Sequence, residues 1–566
     1  MFFSILSTLL LGTIIGSIVS VSVYGFLALI ELFSSILDNL NKTNSSIEGF
    51  INNPIRSFTL YIIVPSSIGL LVGYLRSFTN DRRWHGPPDV ILSAHSRNNP
   101  LNIKAGFLTS FSAICSITAG GSVGQYGPLV HFGATIGAEI KQFFKKNGNM
   151  QIFLGAGVAA AISSGFGAPI AGLVFAREVI LRHQSLASFG PILVSSLVSY
   201  FITKLFFGFT PILPASIGGI NSFQEFPALV FSGLICGFVA IIYMKGLTHP
   251  KYFFNISKIH PWFQPAIAGL ICGVVSIFMP EVTGLGTETI KNILSGNIAS
   301  HIALYFLILK LLLTVFCLRL GLIGGVFAPA LFLGACAGIL LGTFFTFLIP
   351  ETNVELFAIA SMAAVGSCVI GGPLANMMII FELTSDYQAT LAAGISIVFA
   401  SLVSTKFIGQ SVFDKVLLNR KINLDLGDEN LELQSIKVKE ISHSKFCKLS
   451  NDQSVNYAIN FLSKNEVSDG YLLDKNGILV NKVELFELIN IKNKNTKLKS
   501  LKINNFIKLK SDTNILDAIN ICKDFIGESI PIIDRDEKIK GIITESDLFN
   551  IYTTTAKNQR ELESQN

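Results

Sequence analysis

The sequence predicts a polytopic α-helical membrane body followed by a small soluble α/β tail. Three observations predict it: an uneven spread of charge, long apolar runs confined to the first three quarters of the chain, and an internal repeat within those runs. The 566 residues carry 43 Lys+Arg and 37 Asp+Glu, 14% of the total, where an ordinary soluble domain carries about 25%. Of these 80 charges, 39 lie in residues 430–566, so charge is about 10% before that point and about 28% after it. With a mean hydropathy of +0.56 and 50% hydrophobic residues, the chain is not a purely soluble enzyme, a disordered protein or a disulfide scaffold.

The apolar runs come in order as Met1–Ile30, Ser57–Leu75, Phe226–Met244, Ile302–Thr314 and Leu391–Thr405. Alone or joined to neighbours they reach the ~20 residues that a spanning helix needs. The first run meets no charge until Glu31, so it reads as a retained helix and not as a secretory leader. The net charge of +6 is small and dispersed, which argues against a nucleic-acid partner. Lys141, Lys145 and Lys146 follow an apolar segment and read as loop charges on the cytoplasmic side. The eight cysteines have no CxxC spacing and read as small buried hydrophobes, not as metal ligands.

The repeat is the most informative feature. Gly124-Gln125-Tyr126-Gly127-Pro128 continues to Gly133-Ala134 and Gly137, and at an offset of 201 Gly325-Val326-Phe327-Ala328-Pro329 continues to Gly334-Ala335 and Gly338. A second pair follows: Gly167-Ala168-Pro169 with Glu178, against Gly371-Gly372-Pro373 with Glu382. Each of Gly120–Pro128 and Gly321–Pro329 puts a glycine-rich break before a proline that opens a new apolar helix. Such breaks aim unpaired first-turn N–H groups and the positive end of the helix dipole at an anion. One helix end contributes only about 0.3–2 kcal/mol, far less than ion desolvation costs. Several ends must therefore converge on one site.

These residues resemble the CLC family of chloride channels and proton-coupled chloride antiporters. Gly124–Pro128 is similar to the family's G-K/R-E-G-P motif and Gly325–Pro329 to its G-x-F-x-P motif. His85-Gly86-Pro87-Pro88-Asp89 stands where the family has G-S-G-I-P-E, and Phe381-Glu382-Leu383-Thr384-Ser385-Asp386-Tyr387-Gln388 is close to another recurrent stretch. The resemblance implies an inverted repeat of about eighteen helices, several broken at mid-membrane, in residues 1–417, with halves at about 50–210 and 226–417. It implies a homodimer with one anion pathway per subunit, in the bacterial inner (plasma) membrane, both termini cytoplasmic. The expected pathway residues are His85, Gly86, Gly124, Gln125, Tyr126, Gly127, Gly325, Val326, Phe327, Ala328 and Phe413, with chloride or a similar small anion as the cargo and no catalytic residue or metal.

The departures from the family carry the mechanism. The gating glutamate of G-K/R-E-G-P is Tyr126 here, and a phenol with an ordinary pKa near 10 does not cycle protons at pH 7. The internal proton-transfer glutamate aligns with Val179, which does not titrate. The coordinating serine aligns with His85 and the pathway tyrosine with Phe413, which removes two hydroxyl donors and adds an imidazole. Tyr126, Phe327 and Phe413 would form an aromatic constriction in which Tyr126 either plugs the route or donates its hydroxyl to the ion. The expectation is a passive channel without proton coupling and not an enzyme. The alternatives are an antiporter with a proton route rebuilt around His85, His131 or water, and a non-conductive nucleotide sensor. His131 reads as a hydrogen-bonded core residue or as a relay; Glu178 and Glu382 read as structural acids, with Arg177 able to neutralise the first.

Residues 418–434 read as a linker. The tail then divides at 435–498 and 499–556, with residues 557–566 beyond. Its second unit ends Gly541-Ile542-Ile543-Thr544-Glu545-Ser546-Asp547-Leu548, which looks like the closing motif of a CBS domain. That resemblance implies a CBS pair able to bind an adenine nucleotide through Thr544 and Asp547, with no cofactor required. In the first unit Asn481, Glu484 and Glu487 replace the usual Gly, Thr and Asp, and acidic Glu484 would repel phosphate.

Overall fold

The computed structural model describes residues 2–41, 59–79, 81–96, 99–144, 149–182, 186–208, 219–220, 222–248, 259–501 and 506–565. The chain separates into a body, Met1–His95 with Pro100–Lys421, and a tail, Ile422–Gln565. Lys145 and Lys146 lie outside the described residues.

The body holds seventeen α-helices among the described residues: α1 Phe2–Asn41, α2 Val64–Arg76, α3 Pro87–His95, α4 Ile103–Thr118, α5 Tyr126–Phe143, α6 Met150–Phe166, α7 Pro169–Phe175, α8 Leu186–Ile202, α9 Glu225–Thr248, α10 Gln264–Phe278, α11 Thr287–Leu294, α12 Ser300–Arg319, α13 Phe327–Thr346, α14 Val354–Ile370, α15 Pro373–Thr384, α16 Tyr387–Phe407 and α17 Val412–Asn419. Seven helical stretches are long and apolar enough to cross a bilayer, and five further apolar helices are shorter. That mixture is what breaks at mid-membrane produce.

The repeat is realised element by element. α5 packs on α6 as α13 packs on α14; α1 packs on α8 and α6 as α9 packs on α16 and α14; α2 meets α10 and α7 meets α15 across the halves. α1 is thus the counterpart of α9, and the first half begins near residue 2, not near residue 50. The expected boundary was too late because α1 is apolar along its whole length and shares no motif with α9 that alignment could catch. The second repeated motif has a backbone reason. Gly167 and Gly371 end α6 and α14 in the left-handed region at φ 67° and 72°, where a residue without Cβ is least strained. Pro169 and Pro373 then open α7 and α15 at a position that needs no N–H.

The tail contains α18 Asp428–Ser435, α19 Val438–Ile441, β1 Cys447–Ser450, α20 Val455–Lys464, β2 Asp469–Leu473, β3 Leu479–Glu484, α21 Leu485–Ile489, β4 Leu509–Lys510, α22 Ile515–Ile521, β5 Ile530–Ile533, β6 Ile539–Ile543 and α23 Glu545–Gln565. Both sheets have one plan: order β1-β2-β3 and β4-β5-β6, the first pair parallel and the second antiparallel. Residues 428–441 depart from the expected division, in which 418–434 was linker and 435 opened the first unit. Leu433 and Val438 are buried in the core of the second unit with Leu509, Ile515, Ile532 and Ile543. The Val438 N–H donates to Thr513 O and the Ile515 N–H to Ile436 O. In return, Leu498 packs into the first unit's core, so each unit is completed by the segment that precedes the other. Tyr471, Leu479 and Ile533 form the small apolar seam between the sheets.

Candidate anion pathway

The two glycine-rich breaks meet. Gly124 N–H donates to Gly325 O at 2.7 Å, and Gly325 N–H donates to Gly124 O at 2.5 Å. A Cβ on Gly325 would stand 2.6 Å from Gly127 N, and one on Gly127 would stand 2.8 Å from Gly325 Cα. The glycines therefore let one helix start approach the other. Gly124 and Gly325, both expected along the pathway, thus spend their N–H groups on each other and leave the anion to the first-turn amides. The first-turn amides of Tyr126, Gly127, Phe327 and Ala328 precede the first i to i−4 bonds of α5 and α13, which run from Leu129 to Gln125 and from Ala330 to Val326.

Beside this junction is a cavity of about 300 Å3. His85, Gly86, Tyr126, Gly127, Gly325, Val326, Phe327 and Phe413 all line it. Four separated stretches of chain thus converge, as a site built from several helix ends requires. Gly124, Gln125 and Ala328 are not in its wall: they are buried behind it. Val179 is buried away from the cavity, in a π-helical turn against Gly372.

Trp84, Tyr126, Phe175, Phe327 and Phe413 give the wall its aromatic part, and Phe166 backs it from outside the lining. The Tyr126 ring stacks on Phe166 with centroids 3.6 Å apart and planes 13° apart, and meets the edge of Phe327 at 6.1 Å. Its hydroxyl is buried with Gln125 as polar neighbour but without a hydrogen-bond partner of acceptable geometry. Phe166 was not singled out from sequence, although it immediately precedes the repeated Gly167-Ala168-Pro169 break, and that adjacency was the available signal.

The start of α3 is pinned by charge. The Asp89 carboxylate accepts from Arg83 at 2.8 Å, from Arg420 at 2.9 Å and from Gly86 N–H at 2.9 Å. Gly86 N–H is thereby spent. Trp84 Nε1 donates to Gly321 O at 2.8 Å, tying the loop that carries His85 to the break before α13. On α17, Asp414 pairs with Arg182 at 2.6 Å and Arg420 reaches Asp89, which fixes Phe413 in the wall. Arg83 and Arg420 carry no motif, and only the fold brings them to Asp89.

Behind His85 lies His131, completely buried on α5, its ring centroid 6.2 Å from that of His85. Among the described residues neither His131 nitrogen has a hydrogen-bond partner, a condition that costs about 1–3 kcal/mol for each orphaned group.

A family model described as "Voltage gated chloride channel" matches residues 68–405, and one described as "CBS domain" matches residues 498–553. The chain belongs to the voltage gated chloride channel family. Among relatives of this CLC chain, the "Voltage-gated ClC-type chloride channel ClcB" of Salmonella typhimurium (strain LT2) is 27% identical over 415 residues, 72% of this chain and 97% of that protein. The protein of the same description from Escherichia coli O81 (strain ED1a) is 26% identical over 409 residues, with the same coverage. A slow cyanobacterial Cl-/H+ antiporter shares the fold at a TM-score of 0.66 and 22% identity, over 73% of this chain and 97% of its own. A eukaryotic CLC transporter shares it over 97% of this chain and 99% of its own, at a TM-score of 0.63 and 18% identity.

In the CBS tail, Thr544 and Asp547 form a reciprocal capping box at the start of α23. Thr544 N–H and its hydroxyl donate to Asp547 Oδ2 at 2.9 and 2.7 Å, and Asp547 N–H donates back to the Thr544 hydroxyl at 3.2 Å. His443 Nε2 lies 3.0 Å from the same oxygen. Partial burial pushes the Asp547 carboxyl upward, but the two Thr544 bonds and His443 outweigh it and hold the carboxyl below the usual carboxylate range.

Proposed function

We propose that the body passes chloride or a similar small anion passively, without proton coupling, through the cavity lined by His85, Tyr126, Phe327 and Phe413. The observation that carries the reading is the chemistry of that lining. Among the described residues, Asp89 is the one carboxylate in the wall, and it is held by two arginines and an amide. A side chain must titrate near working pH to relay protons. Position 126 offers a phenol and position 179 an alkyl group where the family's proton route has acids. The chloride channel descriptions of the relatives support the choice of anion. The working unit on this reading is a homodimer with one pathway per subunit, in a plasma membrane with both termini cytoplasmic and the CBS pair as regulator. An adenine nucleotide at the second CBS unit would have to share Asp547 with Thr544 and His443.

The test is a flux assay in liposomes under an imposed chloride gradient, recording anion efflux and proton movement together. Anion efflux without proton movement is expected; uphill proton pumping would overturn the reading.

A further inference from the structure

α2 ends at Arg76 beside the start of α10, and the two helices pack along each other. Between their ends lies a second cavity, of about 280 Å3, whose wall includes Arg76, Arg82, His260 and Trp262. A Cβ on Gly73 would collide with Trp262 O, so that glycine brings α2 against the entry to α10. The helical stretch Thr59–Arg76 is long and apolar enough to cross a bilayer, which makes the cavity open where a span ends. We propose that this cavity holds the anionic phosphate headgroup of a phospholipid, a site separate from the anion pathway.

The physical case is an unspent guanidinium inside an aromatic rim. Arg76 is half-buried and donates through Nε to Arg82 O at 2.8 Å. Among the described residues its two terminal nitrogens have no hydrogen-bond partner, and no carboxylate lines the cavity. The acids of the neighbouring loop are committed elsewhere: Asp81 pairs with Arg83 at 3.4 Å, and Asp89 with Arg83 and Arg420. Residues 249–258, which precede His260 in sequence and lie outside the described residues, contain Lys251 and Lys258 and no acid. An unpaired guanidinium fork is matched in shape and charge by a phosphate. His260 Nδ1 accepts from Trp262 N–H at 3.4 Å, so the neutral ring carries its proton on Nε2 and adds a donor without needing a charge. The rim selects a lipid over a dissolved anion. Tyr74 meets Phe78 edge-on at 5.1 Å and Trp262 at 5.5 Å, and Tyr74, Phe78, Trp262 and Phe263 are 40–57% exposed. Exposed aromatic rings at the end of a span mark the headgroup level of a bilayer. A basic pocket between spanning helices at that level fits an anionic headgroup whose acyl chains lie along the rings.

The test uses the full chain purified in a non-ionic detergent, with phosphatidylglycerol or phosphatidylcholine of identical acyl chains added, read by native mass spectrometry and thermal melting. The wild type should retain one phosphatidylglycerol per subunit in preference to phosphatidylcholine and should melt higher with it. Arg76 is packed against Gly321, where a Cβ would stand 2.8 Å from Nη1, so the first variant is at the exposed Arg82. Arg82 has φ 50°, which glycine adopts without strain, so Arg82→Gly removes the guanidinium and keeps the loop. It should weaken phosphatidylglycerol retention about tenfold, the loss of one charge-assisted contact. Arg76→Lys keeps the charge and loses the fork, and should weaken retention by a smaller factor. Equal retention of the two lipids by the wild type overturns the proposal, as does retention that neither variant lowers. If inorganic phosphate without lipid stabilises the wild type and not Arg82→Gly, the cavity takes a dissolved anion and the lipid assignment falls.

Discussion

The carboxylate of Glu178 caps the start of α15 while the carboxylate of Glu382 caps the start of α7. Glu178 accepts from Leu374 N–H at 3.0 Å and Ala375 N–H at 2.7 Å; Glu382 accepts from Ile170 N–H at 2.9 Å and Ala171 N–H at 2.7 Å. Each half supplies the acid that the other half's helix needs, at the positive end of that helix. The Arg177 guanidinium lies over the Phe189 ring, so the partners of Glu178 are amides of the other half. An inverted repeat imposes this reciprocity: whatever residue of one half touches the other must be touched back by its equivalent.

Removing either acid should therefore weaken the same joint. Glu178→Ala and Glu382→Ala are each expected to destabilise the body by about 1–3 kcal/mol, the range for charge-assisted bonds to amides at a half-buried site. Thermal melting in detergent measures it. A double variant whose loss falls short of the sum of the singles would place both caps in one cooperative contact.

Gly325→Ala tests the junction of the two breaks. Its new methyl would press on Gly127 N, a backbone atom that cannot rotate aside, so α5 and α13 must separate. Overpacking of this kind costs about 1–3 kcal/mol, and anion flux should fall with it because the same segments line the cavity. Gly120→Ala is the control: Gly120 sits at φ 77° with open space around its would-be Cβ, so it introduces backbone strain without a clash and should leave flux largely intact.

Much of this was legible in the sequence, for identifiable reasons. The Gly-x-aromatic-x-Pro and Gly-small-Pro motifs are dictated by backbone conformation, so each appears in both halves and announces the repeat. The convergence of His85, Tyr126, Phe327 and Phe413 followed from the family resemblance. The partners that hold the wall were not legible, because Phe166 pairs with Tyr126, and Arg83 and Arg420 with Asp89, only through contacts that join distant stretches. The mutual bonding of Gly124 and Gly325 was hidden for the same reason: glycine permits close approach to anything, and residue type does not say to what. In the tail, the passage of residues 428–441 onto the second unit has no signature beyond the apolar spacing of Leu431, Leu433, Ile436 and Val438.

Among the described residues the Tyr126 hydroxyl has no hydrogen-bond partner of acceptable geometry, and this separates its possible roles. Tyr126→Phe removes an unsatisfied group, so the melting temperature should hold or rise slightly. Chloride flux should fall several-fold if that hydroxyl donates to the passing ion, which is the outcome expected here. Unchanged flux would make the ring a plug alone. Tyr126→Ala, by removing the ring that stands in the wall between Phe327 and the backing Phe166, should raise flux at a stability cost of up to about 3–5 kcal/mol.

The CBS tail holds a buried ion pair, with Lys482 Nζ 2.9 Å from Asp469 Oδ2 and both side chains about 5% exposed. Asp469 also accepts from Ser529 N–H at 2.9 Å, so the pair joins the two units. Lys482→Met should destabilise the tail by about 3–5 kcal/mol, since it strands a buried carboxylate. Adding Asp469→Leu to that variant should recover a large part of the loss. Calorimetric melting of the full chain distinguishes this from a packing effect, which the second substitution would deepen.

The capping box of α23 gives the tail a pH signature whose sign is determined. Asp547 is held below the usual carboxylate range, so its ionised form is favoured in the folded state relative to the unfolded one. The stability it contributes is fully present above the unfolded value of about 3.9 and is lost as pH falls through the lower folded value. Asp547→Asn should therefore lower the melting temperature of the tail at neutral pH, and the gap between variant and wild type should close as the pH drops through that window. His443→Ala should shift the closing point upward, because it removes one of the groups that favour the carboxylate. A gap that stays constant across the acid range would mean that Asp547 acts through shape and not through charge.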